Sequence, residues 1–200
     1  EEAIKNVDVS GSVVYRYESF DDSEGNATRT DRNKYKIGLN LSSKVNDYVK
    51  FNSRFIVGGA DSGWAATGAK KNGTNVGANN RTNGDVNPEV TLSNAYFGFT
   101  AIPNTIVNVG KQGLTTPYTV AVDINGNEQN GTGILALSTF GPITAGAGYF
   151  NNTNFENLTE INLTRGIGSG SGTTNLSLDA GRDMYVATVQ GDLDFVKLEA

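Results

Sequence analysis

Apolar and polar residues alternate along most of the chain with a period of two, the pattern of a strand with two different faces. In "VDVSGSVVYRY", the odd positions from Val7 to Tyr17 are mostly apolar, and the even positions are mostly polar or charged. The pattern predicts about nine strands of roughly eight to eleven residues, a length that crosses a bilayer as a tilted strand. The other alternating segments are "KYKIGLNLS", "VKFNSRFIV", "SNAYFGF", "VNVGKQ", "ILALSTF", "ITAGAGYF", "DMYVATVQ" and "FVKLEA".

The connections between these strands alternate in length. Tight turns rich in Gly, Pro, Asn and Asp alternate with long polar loops, which sorts the short connections to one end of the strands. This sorting predicts an all-β fold with an up-and-down antiparallel barrel, because a Greek-key sandwich does not separate its loops so cleanly. The tight turns are Asn46-Asp47, Pro103-Asn104, Gly141-Pro142 and 191–194, and the long loops are 19–33, 58–89, 115–133 and 151–182.

The polar faces of the first three strands carry basic residues in mid-strand, Arg16, Lys36 and Arg54. In a transmembrane barrel these would line a wet lumen, while the apolar faces and a girdle of Tyr residues would meet lipid. Such strands must close on themselves, because lipid offers no partner for bare backbone groups. The chain stops inside a ninth strand, so we expect residues 1–200 to be the N-terminal part of one barrel domain of about eighteen strands.

Composition excludes several kinds of chemistry. The 200 residues contain no Cys and no His, which excludes disulfides, Ser-His-Asp catalysis and a His-rich zinc site. We therefore expect no enzyme activity. The net charge of −5 argues against a nucleic-acid partner.

The opening "EEAIKNVDV" lacks a basic segment followed by an apolar one, so it is typical of a mature N-terminus from which any signal peptide has been removed.

The third long loop, near 115–133, is less polar than the others, with apolar residues in "TTPYTVAVDINGNEQNGTG". A loop that folds into a barrel and packs on its wall needs such residues, whereas a surface loop with two solvated acids remains the alternative. Folded inward, its acids would face the basic wall residues across a narrow gap, and the transverse field would set ion selectivity. The predicted constriction comprises Asp123, Glu128, Arg16, Lys36 and Arg54.

The run "DINGNE" in this loop resembles the start of an EF-hand, but it fails at two defining positions. Glu128 stands where the loop requires Gly, and Ile134 stands where it requires Glu. A calcium site built from several loops stays open, because carboxylates and Asn carbonyls are plentiful.

Lys111 does not fit the alternation. Its parity places it with Val107 and Val109 on the lipid face, where a charge at the bilayer mid-plane costs about 2–4 kcal/mol. Three explanations are open: a contact between subunits, a bulge before Lys111, or a register that is shifted by one residue.

The sequence resembles the major outer membrane porins of Campylobacter and related bacteria. The resemblance rests on "EEAIKNVDVSG", "SNAYFGF", "VNVGKQ" and above all "TTPYTVAVDINGNEQNGTGILALSTFGPITAGAGYFN". It implies an eighteen-stranded trimeric barrel in the outer membrane, with exposed surface loops and a third loop that forms the constriction. It also implies passage of small hydrophilic solutes, a preference for cations, and a calcium ion near the loop. By motif position Asp123 is the candidate ligand. Glu156, which has the lumen parity beyond Phe150, is the second candidate, although "NNTNFEN" departs from the family pattern.

We therefore predict an outer-membrane porin that conducts ions and small hydrophilic solutes by diffusion, with no required cofactor and a structural Ca²⁺ as an option. The alternative is a secreted or surface β-sandwich adhesin that binds glycan or protein through its long loops. Such an adhesin would also be rich in Gly, Asn and Thr and free of Cys.

Overall fold

The computed structural model of the chain describes residues 6–20, 30–57, 65–66, 70–71, 74–75, 90–116, 119–122, 126, 128–154, 183–193 and 196–199. Within these residues every regular element is a strand. The long strands are β1 (Val7–Phe20), β2 (Thr30–Asn46), β3 (Val49–Val57), β7 (Val90–Phe99), β8 (Thr105–Gly113), β9 (Asn130–Phe140), β10 (Ile143–Thr153) and β11 (Met184–Leu193), and the short ones are β4 (Ala65–Ala66), β5 (Lys70–Lys71), β6 (Thr74–Asn75) and β12 (Val196–Glu199).

Ten of these strands form one antiparallel sheet, in the order β1-β2-β3-β7-β8-β9-β10-β11-β12 with β4 beside β2. In the part of the chain that the structure describes, β5 and β6 pair only with each other. Each long strand therefore lies next to the long strand that precedes it in the chain, which is the up-and-down order. This confirms the predicted all-β antiparallel fold with about nine main strands, and the single sheet does not correspond to the two packed sheets of a sandwich. No helix among the described residues is long and apolar enough to span a membrane.

The tight turns fall where the sequence predicts them. Asn104 and Gly141 adopt positive φ angles of 56° and 57°, which Asn and Gly tolerate better than other residues. One boundary differs from the prediction, because β11 continues to Leu193 and pairs it with Val196. The last turn is thus shorter than the predicted 191–194, since the pairing of β11 with β12 extends through "GDL".

The two faces of the sheet differ in the predicted way. Val13, Tyr15 and Phe97 are 74%, 66% and 43% exposed on the apolar face. On the same face, the rings of Phe51 and Phe97 meet across β3 and β7 at a centroid distance of 5.1 Å. The opposite face carries the basic residues of the first three strands and receives the third long loop, so we call it the polar face.

A β-bulge in β7 interrupts the pairing with β3. Arg54 pairs with Asn94, but the next residue, Phe55, pairs with Leu92, which leaves Ser93 as an extra residue. A bulge of this kind turns two successive side chains toward the same side of the sheet. Ser93 consequently joins Asn94 on the polar face, where it is 5% exposed.

The register around Lys111 is regular. Lys111 pairs with Ala95 on one side and with Thr132 on the other, with no shift through Val107 and Val109. A bulge before Lys111 and a register error of one residue are therefore both wrong as explanations. Lys111 lies on the apolar face as its parity indicates, and a contact with another subunit stays a prediction.

Candidate pore constriction

The third long loop returns to the polar face of the sheet as a narrow hairpin. The Leu114 amide donates to the Gln129 carbonyl at 2.9 Å, and the Gln129 amide donates to the Ala121 carbonyl at 2.9 Å. Val122 and Glu128 form an isolated antiparallel bridge one step further along the loop. These bonds fix the base of the hairpin and direct the Glu128 side chain toward the neighbouring strands.

Glu128 binds three successive strands of the wall. Its Oε1 lies 3.1 Å from Lys36 Nζ of β2 and 3.0 Å from Arg54 Nη2 of β3. Its Oε2 accepts hydrogen bonds from Arg54 Nε at 3.1 Å and from Ser93 Oγ of β7 at 2.8 Å. The side chain of Glu128 is only 4% exposed, so this is a buried and fully hydrogen-bonded carboxylate.

The wall is shaped to present Arg54 to the loop. The guanidinium lies over Gly38 of β2, where an added Cβ would stand 2.8 Å from Arg54 Nη1. Arg54 Nη1 also donates to Asn40 Oδ1 at 2.9 Å, which holds the planar group in place. Arg54 therefore reaches Glu128 in a fixed orientation rather than as a mobile surface side chain.

The surroundings of Glu128 favour its charged form. Burial alone would raise the pKa of this carboxyl, but hydrogen bonds from Arg54 and Ser93 and the charges of Lys36 and Arg54 outweigh burial. The pKa of Glu128 is consequently below its usual value of 4.5. The carboxylate stays ionised at neutral pH and holds both cations.

Lys36 and Asn154 tie the loop to the wall through backbone groups as well. Lys36 Nζ donates to the Gly126 carbonyl at 2.8 Å. From the other side, Asn154 Nδ2 of the segment after β10 donates to the Glu128 carbonyl at 2.7 Å, and Asn154 Oδ1 accepts from the Asn130 amide at 2.7 Å. The loop is thus held between the early and the late strands of the sheet.

Leu114, the residue just before the third loop, packs on apolar side chains of the late strands β9, β10 and β11. Leu114 and Phe150 are fully buried, and Leu135 and Met184 pack against them. Gly131 leaves the space that this contact needs, because an added Cβ would lie 2.6 Å from Leu114 Cδ1 and 3.0 Å from Phe150 Cδ1. We call these four apolar residues the loop seat.

The structure brings together three of the five residues of the predicted constriction: Lys36, Arg54 and Glu128. Arg16 lies on the same face but is exposed, pairs in register with Lys34, and is not among the partners of Glu128. Asp123 lies outside the described residues, as does the second candidate calcium ligand, Glu156.

The predicted arrangement of Glu128 needs a correction. The sequence placed this acid across a gap from the basic residues, whereas the structure shows it in direct contact with Lys36 and Arg54. The reason is the hairpin of the loop, whose backbone bonds bring Glu128 onto the wall.

Sequence reasoning missed Ser93, Asn130 and Asn154. For Ser93 a signal exists, since the apolar residues of β7 change parity between Leu92 and Ala95, as a bulge requires. No comparable signal marks the other two, because each acts only through the folded loop.

A sequence comparison identifies the family of this chain. The profile described as Campylobacter major outer membrane protein matches residues 1–198 of the chain. The chain belongs to this family. The protein is therefore a protein of the bacterial outer membrane, and its antiparallel sheet is part of a transmembrane β-barrel.

One solved structure supports the fold. The chain is similar to Pseudomonas aeruginosa OccD3 (OpdP), with a TM-score of 0.57 at 13% identity, over 98% of this chain and 40% of that one. It also matches Acinetobacter baumannii OccAB4, with a TM-score of 0.49 at 12% identity, over 92% of this chain and 46% of that one. The chain thus spans less than half the length of either structure. No curated protein sequence matches it.

Proposed function

We propose that this member of the Campylobacter major outer membrane protein family is a porin. In this proposal the polar face lines a water-filled channel through which ions and small hydrophilic solutes diffuse without a chemical step. The exposed apolar face supports the proposal, because it suits contact with lipid and with neighbouring subunits of a homotrimer.

The observation that carries the proposal is the attachment of the loop by Glu128. A loop that crosses a lumen narrows it, but a mobile loop would give an aperture without a fixed size. Here ion pairs with Lys36 and Arg54 and the bond from Ser93 fix the loop on one wall. Charge-assisted bonds of this kind are directional, so they hold Glu128, and with it the loop, in one position during solute passage.

The charges at this attachment also bear on ion selectivity. Glu128 is surrounded by two cations, so its own charge is compensated and its removal would leave Lys36 and Arg54 unpaired. We propose that cation preference rests on the net charge of −5 and on Asp123. Glu128 contributes to it by masking the basic wall residues.

The test is a planar-bilayer recording of the protein in its full natural length, refolded as wild type and as Glu128→Gln. The variant should show larger current fluctuations, because the loop loses its ionic attachment. Its reversal potential in a KCl gradient should shift toward anions, and Asp123→Asn combined with Glu128→Gln should shift it further.

A matched control is Asp47→Asn, which removes a carboxylate in a tight turn where its one described ion-pair partner is Lys44, at 2.7 Å. This control should conduct like the wild type. Wild-type traces without conductance steps would reject the porin. Steps with unchanged noise and selectivity in Glu128→Gln would reject the role of the loop, and triplet steps are the expected mark of a trimer.

We propose a calcium ion near the same loop as a separate, structural feature. In the described residues no three acidic side chains gather as a metal site would require, and the Glu128 carboxylate is taken by Lys36 and Arg54. Among the described residues the buried Asn130 Oδ1 has no hydrogen-bond partner, and it is an oxygen of the type that Ca²⁺ prefers. Calcium should raise the unfolding temperature of the wild type and not of Asp123→Asn; equal responses would reject Asp123 as a ligand.

A further inference from the structure

A cleft of about 290 Å³ lies in the wall of β1, β2, β3 and β7, beside the attachment of the third loop. Most of its lining side chains belong to the polar face; they are amides, hydroxyls, the Asp8 carboxylate and the Arg54 guanidinium. We call it the wall niche and define it by Asp8, Ser10, Asn40, Asn52, Asn94 and Tyr96. Its volume is close to the lower end of ligand pockets, about 300 Å³, which suits one small solute.

The wall orients one of two Asn side chains of the niche by a hydrogen bond and places the other beside Ser93. Ser42 Oγ donates to Asn52 Oδ1 at 3.0 Å, so that carbonyl oxygen is occupied. Asn94 Oδ1 lies 3.1 Å from Ser93 Oγ, whose single proton goes to Glu128 at 2.8 Å, so Asn94 Oδ1 remains an acceptor. In the described contacts the two Nδ2 groups have no partner and remain as donors for a solute.

Tyr96 adds an aromatic ring and a hydroxyl beside these amides. It pairs directly with Asn52 across β3 and β7, and Asn94 is its neighbour on the same face of β7. The three side chains thus form one continuous surface on which a ring-shaped solute can rest. Asp8 stands on the β1 side of the niche and contributes acceptor oxygens.

The charges in the niche disfavour anions. Arg54 lines the niche, but it is paired with Glu128 and bonded to Asn40, so it has little capacity left to bind an anion. An anion would also meet the Asp8 carboxylate. A cation would be attracted by Asp8, but the two amide NH₂ groups beside it offer no lone pair. Hydroxyl groups both donate and accept, so they match donors on β3 and β7 together with acceptors on β1.

We propose that the wall niche is a binding subsite for neutral polyhydroxy solutes of monosaccharide size, an inference that rests on the proposed porin function. A solute held there would lie beside the third loop and would interrupt the ion current while it stays bound. The niche would thereby increase the local concentration of such solutes at the narrow part of the channel.

The test is the KCl current of the full-length protein in planar bilayers with added D-glucose. The reference solute is polyethylene glycol of the same hydrodynamic size. Glucose should reduce the conductance in a saturable way, whereas the polymer should reduce it in proportion to concentration. In Asn52→Ala/Asn94→Ala, the glucose concentration for half reduction should rise about tenfold, as expected for two lost hydrogen bonds.

The matched control is Asn108→Ala, which changes an Asn of the same face on β8 that does not line the niche. It should respond to glucose like the wild type. A glucose response that equals the polymer response, or that persists unchanged in the double variant, would overturn the subsite while the KCl steps still support the porin. An equal saturable response to the zwitterion glycine would overturn the assignment to neutral polyhydroxy solutes.

Discussion

The third loop contacts the inner surface of the sheet in two places that differ in chemistry. On the early strands it is held by a buried carboxylate, two cations and a hydroxyl, through Glu128, Lys36, Arg54 and Ser93. On the late strands it rests on the loop seat, where Leu114 and Phe150 are both fully buried. One contact is polar and directional, and the other is apolar and close-packed.

The two contacts have different effects on the loop, one on its stability and the other on its orientation. Apolar packing depends on area and shape, so the loop seat supplies stability without demanding a single orientation. The polar contact adds little net stability, because burying charges has a cost that ion pairs only partly offset. Its geometry, however, permits only one position of Glu128. We infer that the loop seat keeps the loop folded, whereas the polar contact sets the aperture.

The largest effect should follow from damage to the loop seat. Phe150→Ala should lower the free energy of unfolding by about 3–5 kcal/mol, because it removes a fully buried aromatic ring and leaves a cavity. Equilibrium unfolding by urea in detergent measures this loss. Phe140→Ala, at an aromatic residue that is 64% exposed, is the matched control and should lose much less. Equal losses at the two positions would contradict a packed loop seat.

The alternation of residues was sufficient to predict the antiparallel sheet and its two faces. Strand β3 occupies Val49–Val57 as predicted, and the basic residues Lys36 and Arg54 lie on the polar face. The low polarity of the third loop predicts packing on the wall, but of its apolar residues Val120 is half-buried and Val122 is 42% exposed. The packing is made instead by Leu114, just before the loop, which is fully buried. The sheet and its two faces depend on residues that are close together in the chain, so a local pattern is enough to predict them.

Contacts between distant segments were beyond prediction. The pairing of Lys36 with Glu128 joins residues 92 positions apart, and it depends on the register of β2 and on the return of the loop hairpin. The loop seat is hard to predict for another reason. "ILAL" in β9 is apolar at both parities, which indicates two dry faces, but the strands beside it alternate and indicate only one.

Acid should weaken the polar contact and leave the loop seat intact. The pKa of Glu128 lies below 4.5, so its stabilising charge is fully present above about pH 4.5 and is lost as pH falls through the lower folded-state value. The charged groups that face it are Lys36 and Arg54. Current noise should therefore be constant from pH 7 to pH 5 and should increase at lower pH.

Glu128→Gln provides the control for this titration, because an amide does not ionise in this range. The variant should show high noise at every pH, and the difference from the wild type should vanish in acid. A difference that vanishes already near pH 6 would mean that the folded protein does not favour the charged carboxylate.

The smallest and most informative effect should come from adding one methyl group to each contact. In Gly131→Ala the new Cβ meets Leu114 and Phe150 at about 2.6–3.0 Å, so the overpacked loop seat should lose about 1–3 kcal/mol of stability with little change in current noise. In Gly38→Ala the atoms nearest to the new Cβ belong to the guanidinium of Arg54, at 2.8 Å, so the methyl displaces this group from Glu128. Stability should fall by less than in Gly131→Ala, because Lys36 and Ser93 still hold Glu128 and the methyl also restricts the unfolded chain.

Current noise, however, should change more in Gly38→Ala than in Gly131→Ala, which is the opposite of the order expected for stability. Displacing Arg54 separates it from Glu128, so Gly38→Ala should increase noise and Gly131→Ala should not. Paired urea unfolding and bilayer recordings of the two variants measure both quantities. If stability and noise changed together in both variants, the loop would have one attachment of mixed character, and the separation of folding from aperture control would be wrong.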